Sequence, residues 1–144
     1  MKTAFTLVET LLVLGVLALI LSIYQIPQYK QLGQEIEGRQ FFDILVQKLH
    51  HTKEKAMLEN TTYLVSFNGT EDYIVFTQLR AERLDYLLWV PDFWDLESTF
   101  QIRYYGDGRA DSFQTVTFLH EFKEEQVDLV FQLGSGIFDL IRHK

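Results

Sequence analysis

The chain reads as an α+β protein: a long N-terminal helix, transmembrane at first and amphipathic beyond, followed by a small antiparallel β-sheet domain. Three patterns predict this. An uncharged block rich in Leu, Ile and Val runs from Thr10 to Tyr29. Apolar residues then recur at three- and four-residue spacing as far as Ala56, the period of a helix face. From Thr61 the period drops to two, with turn residues between short runs.

The uncharged block holds 20 residues. At about 1.5 Å each, a helix of that length reaches about 30 Å, the hydrocarbon thickness of a bilayer. A conventional secretory signal fits poorly. Its apolar run is shorter, and no Ala-x-Ala stands near the end of this one, where Tyr24-Gln25-Ile26-Pro27 follows. A plain single-pass anchor fits the length but does not account for Glu9. A carboxylate inside a bilayer costs about 2.5–3.5 kcal/mol at mid-span on insertion scales, and less toward the interface. Glu9 therefore calls for a cation, and no Lys or Arg follows within helical reach. The nearest candidate is the amine that a cut before Phe5 would expose. A bland role is also open to Glu9, since a carboxylate is favoured at the N-terminal end of a helix dipole.

Ala4-Phe5-Thr6-Leu7-Val8-Glu9, running straight into the apolar block, resembles the leader of type IV pilins and pseudopilins. The resemblance implies cleavage by a prepilin peptidase between Ala4 and Phe5, and N-methylation of Phe5. Glu9 would then be the fifth mature residue and would serve filament assembly by pairing with the terminal amine of a neighbouring subunit. Ala4 departs from the Gly that most members carry before the cut; it is similarly small. The implied organisation is a leader at 1–4, a transmembrane and filament-core helix at 5–29, an amphipathic continuation at 30–60 and a β-sheet domain at 61–144.

Pro27 lies late in the apolar block and is expected to kink the helix, because proline lacks the amide hydrogen and crowds the preceding turn. Beyond it, Phe41, Leu45, Leu49, Thr52 and Ala56 form the stripe expected to pack on the domain, widened by Phe42 and Ile44. Gln34, Glu35, Arg39, Lys48, Lys53 and Glu54 fall on the other faces, and Asn60 is a helix stop. Tyr63–Phe67 and Tyr73–Phe76 flank Asn68-Gly69 and read as a hairpin. Further strand-like runs are 84–90, 99–105, 115–122, 127–133 and 137–141. The segment from Ile102 through Gly136 resembles the C-terminal sheet of a competence minor pilin.

The formal net charge of −7 argues against direct contact with DNA, which selects for a basic surface. With no cysteine, thiolate metal sites and thiol catalysis are excluded. No nucleotide-binding loop, nucleophile elbow or zinc-protease motif occurs, so neither an enzyme nor a cofactor is expected. His50, His51, His120 and His143 show no metal-ligand spacing, and Asp107-Gly108-Arg109-Ala110-Asp111 lacks the ligand pattern of a calcium loop. Phe93 and Trp94, set between acids, are candidate partner contacts; the competing reading folds them over a sheet edge. The resemblance implies as partners other pilin-like subunits of one filament, the prepilin peptidase, an assembly ATPase and an inner-membrane platform protein. It also implies residence in the cell membrane before assembly and on the cell surface afterwards. In a competence pilus such a subunit supports DNA uptake during transformation. A pseudopilin of a type II secretion-like system and a membrane-anchored binding module unrelated to filaments stand as alternatives.

Overall fold

A computed structural model describes residues 7–81, 83–132 and 134–143, without the side chains of 23–31. Compactness divides the chain into two units, Met1–Glu37 and Gly38–Lys144. A single helix, α1, spans Leu7–Glu59. It continues through position 27, whose side chain, expected to bend it, lies outside the described set. Asn60 ends the helix as expected: it adopts φ 46°, and the Thr61 amide donates back to the Ala56 carbonyl at 3.1 Å.

In the second unit eight antiparallel strands follow: β1 Tyr63–Asn68, β2 Tyr73–Gln78, β3 Arg83–Trp89, β4 Trp94–Leu96, β5 Phe100–Tyr104, β6 Thr115–His120, β7 Gln126–Phe131 and β8 Phe138–His143. The α+β class holds. The expectation of one sheet does not, because the strands form two four-stranded sheets ordered β3-β2-β1-β5 and β4-β6-β7-β8. Pro91 is the physical reason for the split: it cannot donate a ladder bond, and the turn closed by the Trp94 amide on the Pro91 carbonyl (2.8 Å) sends the chain into the second sheet. The chain then returns for β5, which pairs with β1 from Tyr63↔Tyr104 to Phe67↔Phe100.

The Asn68-Gly69 hairpin exists, but its loop is four residues long, with Asn68 opposite Tyr73 and the positive φ at Asp72 rather than at Gly69. Gly69 is needed for another reason. A Cβ there would stand 2.5 Å from the Leu96 carbonyl oxygen, so the loop rests directly on the segment that links the two sheets. Asp72 fastens it by accepting from the Leu96 amide at 3.0 Å.

Period-two burial builds the core. Val65, Phe67, Ile74, Phe76 and Ile102 of the first sheet and Val116, Phe118, Val127 and Leu129 of the second have no exposed surface. The sheets meet at Phe131, whose ring lies 6.1 Å from Phe67 and 5.9 Å from Phe100. From the helix, Phe41, Phe42, Leu45, Leu49, Thr52 and Ala56 are buried. Thr52 is tolerated there because its hydroxyl donates to the Lys48 carbonyl at 2.7 Å. Ile44 does not widen the stripe. It is an exposed residue, turned off the buried arc by the helical period.

Candidate functional site

Between Leu7 and Ser22 the helix presents apolar side chains in every direction. Leu11, Leu12, Val13 and Leu14, successive at about 100° each, are 49–65% exposed. Eleven large hydrophobic residues from Leu7 to Leu21 are at least 45% exposed in the isolated chain. Burying each such side chain is worth about 1.5–3 kcal/mol, so covering them gains well over 10 kcal/mol. A helix that is apolar all round belongs in hydrocarbon or among like helices.

The polar groups in this stretch are nearly all satisfied from within. The Thr10 hydroxyl donates to the Leu7 carbonyl and the Ser22 hydroxyl to the Ala18 carbonyl, both at 2.8 Å. Such back-bonding lets hydroxyls enter an apolar medium without an orphaned donor. Glu9 is the exception: among the described residues its carboxylate has no hydrogen bond or ion pair. The stretch thus combines a surface that must be covered by other molecules with one charge that must be met by another molecule.

Ala4 and Phe5, expected at the cleavage and methylation site, lie outside the described residues. Among the described residues no helix is long and apolar enough to cross a membrane. The part of the apolar block whose side chains are described, Thr10–Ser22, is 13 residues, about 20 Å of helix. The rest of the span read from the sequence includes residues whose side chains are not described.

Of the two readings of Phe93 and Trp94, partner contact or folding inward, the structure takes the second. They are 5% and 6% exposed and belong to the core, not to a partner surface. Trp94 opens β4, and its ring stands 5.0 Å from both Phe42 and His120. Its indole lies against Gly38, where an added Cβ would meet Nε1 at 2.9 Å. The alternation of buried Trp94 and Leu96 about exposed Asp95 is the signal that could have found the short strand.

The histidines play packing and hydrogen-bonding roles. His120 Nδ1 accepts from the Phe122 amide at 3.1 Å, and His143 Nε2 lies 3.0 Å from Asp128. Burial alone would raise the Asp128 carboxyl, but hydrogen bonds from Gln126, Thr117 and His143 outweigh it and hold the group below the ordinary carboxylate range. Asp107 accepts from Arg109 at 2.6 Å, closing the turn after β5 as a local ion pair. Among the described residues no group of three or more metal-ligating side chains occurs.

Among solved structures the fold is similar to that of the minor pseudopilin EpsH from the Type 2 Secretion System of Vibrio cholerae, with a TM-score of 0.57 and 16% identity. The match covers 74% of this chain and 94% of that one. No protein-family model matches the chain, and no curated protein sequence matches it.

Proposed function

We propose that the chain is a minor pilin-like subunit of a membrane-assembled filament of the type IV pilus class, and that the filament is a competence pilus serving DNA uptake. The observation that carries the reading is the lone Glu9 carboxylate at the head of a helix with apolar residues on all sides. In this reading the prepilin peptidase removes residues 1–4, Phe5 is methylated, and the helix anchors the subunit in the membrane until the assembly ATPase and platform protein pass it into the fibre. There the helix packs among the helices of other pilin-like subunits. Glu9 is neutralised by the terminal amine of a neighbour in a water-poor core, where an unpaired charge is expensive. Pro27 gives the helix a bend for that packing. The net charge of −7 assigns the subunit to assembly rather than to DNA capture.

The likeness to a secretion pseudopilin favours a second reading, a pseudopilin of a type II secretion-like system. The neighbouring genes, and the phenotype on deletion (lost transformation or lost secretion), separate the two. Mass spectrometry of the mature protein tests both readings against a simple anchor. An N-methylated Phe5 is expected, whereas an intact Met1 on fully expressed native protein would remove the filament reading altogether.

A further inference from the structure

The two pairing orders leave four sheet edges, and three of them are defended against a further strand. β4 is only three residues long. β5 is covered by the chain that follows it, through the Tyr104↔Ala110 bridge, the Tyr105 amide on the Arg109 carbonyl (2.9 Å) and the Asp111 amide on the Arg103 carbonyl (3.2 Å). β8 carries Asp139, Arg142 and His143. Short, covered and charged edges all discourage strand addition. β3 has no such defence from Tyr86 to Trp89, a run without charge.

The backbone of that run is open. The Val90 amide donates to the Asp72 carbonyl at 2.9 Å, and the register continues as Trp89↔Tyr73, Leu88↔Ile74 and Leu87↔Val75. Antiparallel ladders bond at every second pair, so the amides and carbonyls of Leu87 and Trp89 point away from β2. The side chains follow suit. A bulge sets Phe76 opposite Tyr86 but Thr77 opposite Leu84, which leaves Asp85 as the extra residue. Unbroken alternation from Trp89 and Leu87 would bring Asp85 to the outer face. The bulge brings Leu84 there instead and turns Asp85 to Lys55 of the helix, at 2.7 Å. Leu84, Leu87 and Trp89 thus form one outward column, 57%, 37% and 61% exposed.

The Trp89 end of the column is aromatic and acidic. The Tyr73 and Trp89 rings meet edge-on, their centroids 5.5 Å apart. Segments 68–76 and 86–100, which build this end, contain Glu71, Asp72, Asp92, Asp95 and Glu97 and no Lys, Arg or His. Asp72 is committed to the Leu96 amide. Glu71 and Asp92 are exposed, with no hydrogen-bond or ion-pair partner for their side chains among the described residues. Lys48 and Lys55 of the helix are engaged on the inner side of β3, Lys48 over the Tyr86 ring at 3.8 Å and Lys55 by Asp85.

We infer that β3 is the docking edge for an extended basic segment of another protein, which adds antiparallel to it as a further strand. The main chain of that segment pairs with the open groups of Leu87 and Trp89, and apolar side chains at alternate positions lie along Leu87 and Leu84. A lysine or arginine near its N-terminal end covers the Trp89 ring beside Glu71 and Asp92. A second copy of this chain would bring the same acids to the same place, so the occupant is a different, basic partner. The contact uses a sheet edge and not the N-terminal helix, so it is independent of the filament reading.

The full-length chain in mild detergent is titrated with a capped synthetic peptide, Lys-Thr-Val-Thr-Val, whose alternate side chains match Trp89, Leu87 and Leu84 in turn. Amide hydrogen exchange, read by NMR, should slow about tenfold at Leu87 and Trp89 and stay unchanged at Leu88. N-methylating the peptide amides that face β3 should abolish the effect, which a merely apolar or ionic contact would survive. Glutamate in place of the peptide lysine should weaken binding about tenfold, and Trp89→Ala, or Glu71→Gln with Asp92→Asn, about fivefold. Leu87→Pro removes one outward amide without touching the β2 ladder, and should abolish binding with thermal unfolding unchanged. Unaltered exchange at Leu87 and Trp89 with the peptide at its solubility limit would overturn the inference, as would equal binding of the glutamate peptide. Slow exchange of both amides in the free chain, or protection that grows with protein concentration alone, would put another occupant on the edge and do the same.

Discussion

Two stretches of the same helix are built from similar residues and put to opposite use. From Phe41 to Ala56 one face is buried against two sheets and the other carries charge. From Leu7 to Ser22 no face is covered, and Glu9 is the one acidic or basic residue. The first stretch is stabilised by its own chain, the second by whatever surrounds it. A mutation in the first should therefore show in folding, and a mutation in the second in assembly.

The largest expected effect would break that contrast if it failed. Glu9→Gln should leave cleavage and thermal unfolding unchanged, while the fraction recovered in sheared fibres falls at least about tenfold, the equivalent of about 1.4 kcal/mol. Normal incorporation of the Gln variant would show that charge pairing is dispensable. Next, Phe42→Ala, which removes a ring lying 5.0 Å from Trp94 and 5.3 Å from Phe118, should cost about 3–5 kcal/mol in denaturant unfolding of the detergent-solubilised chain. Leu12→Ser, in the uncovered stretch, should change that midpoint negligibly. Gly38→Ala sharpens the comparison, since the new methyl must displace the Trp94 indole; about 1–3 kcal/mol is expected.

The smallest effects concern protons. Burial first, and then the hydrogen bond to Glu59, push the Tyr63 hydroxyl up to about 12, and burial raises Tyr104 further. A folded-state value above the unfolded one gives stability that is complete below the unfolded value, about 10, and is lost as pH rises through the folded value. An alkaline loss of stability should accordingly appear on pH-jump unfolding and be flattened by Tyr63→Phe with Tyr104→Phe. Asp128 has the opposite sign. Its depressed carboxyl stabilises the fold above about pH 4 and ceases to as the pH falls further, so Asp128→Asn should weaken the acid dependence slightly.

Glu9 was legible from the sequence because a lone charge before an apolar run has no local neighbour to explain it. The same locality made Asn60, the helix stripe and the period-two runs readable. Phe93 and Trp94 were harder to place. Acids beside aromatics look alike in a solvated loop and in a three-residue strand, and β4 owes its existence to pairing with Phe118–His120. The Asn68-Gly69 turn was readable as a turn but not in length, since Asp72 takes its positive φ while bonded to Leu96, a residue 24 positions away.

The sequence by itself determined the helix, its change of character after the apolar block, the succession of strands and the exposed carboxylate. All of these follow from periodicity and charge within a few turns of chain. The tertiary structure alone decided that the strands divide into two sheets and that Phe93 and Trp94 are core. Each of those depends on which distant segments pair, and pairing is settled by the burial of whole faces, which no local window of residues records.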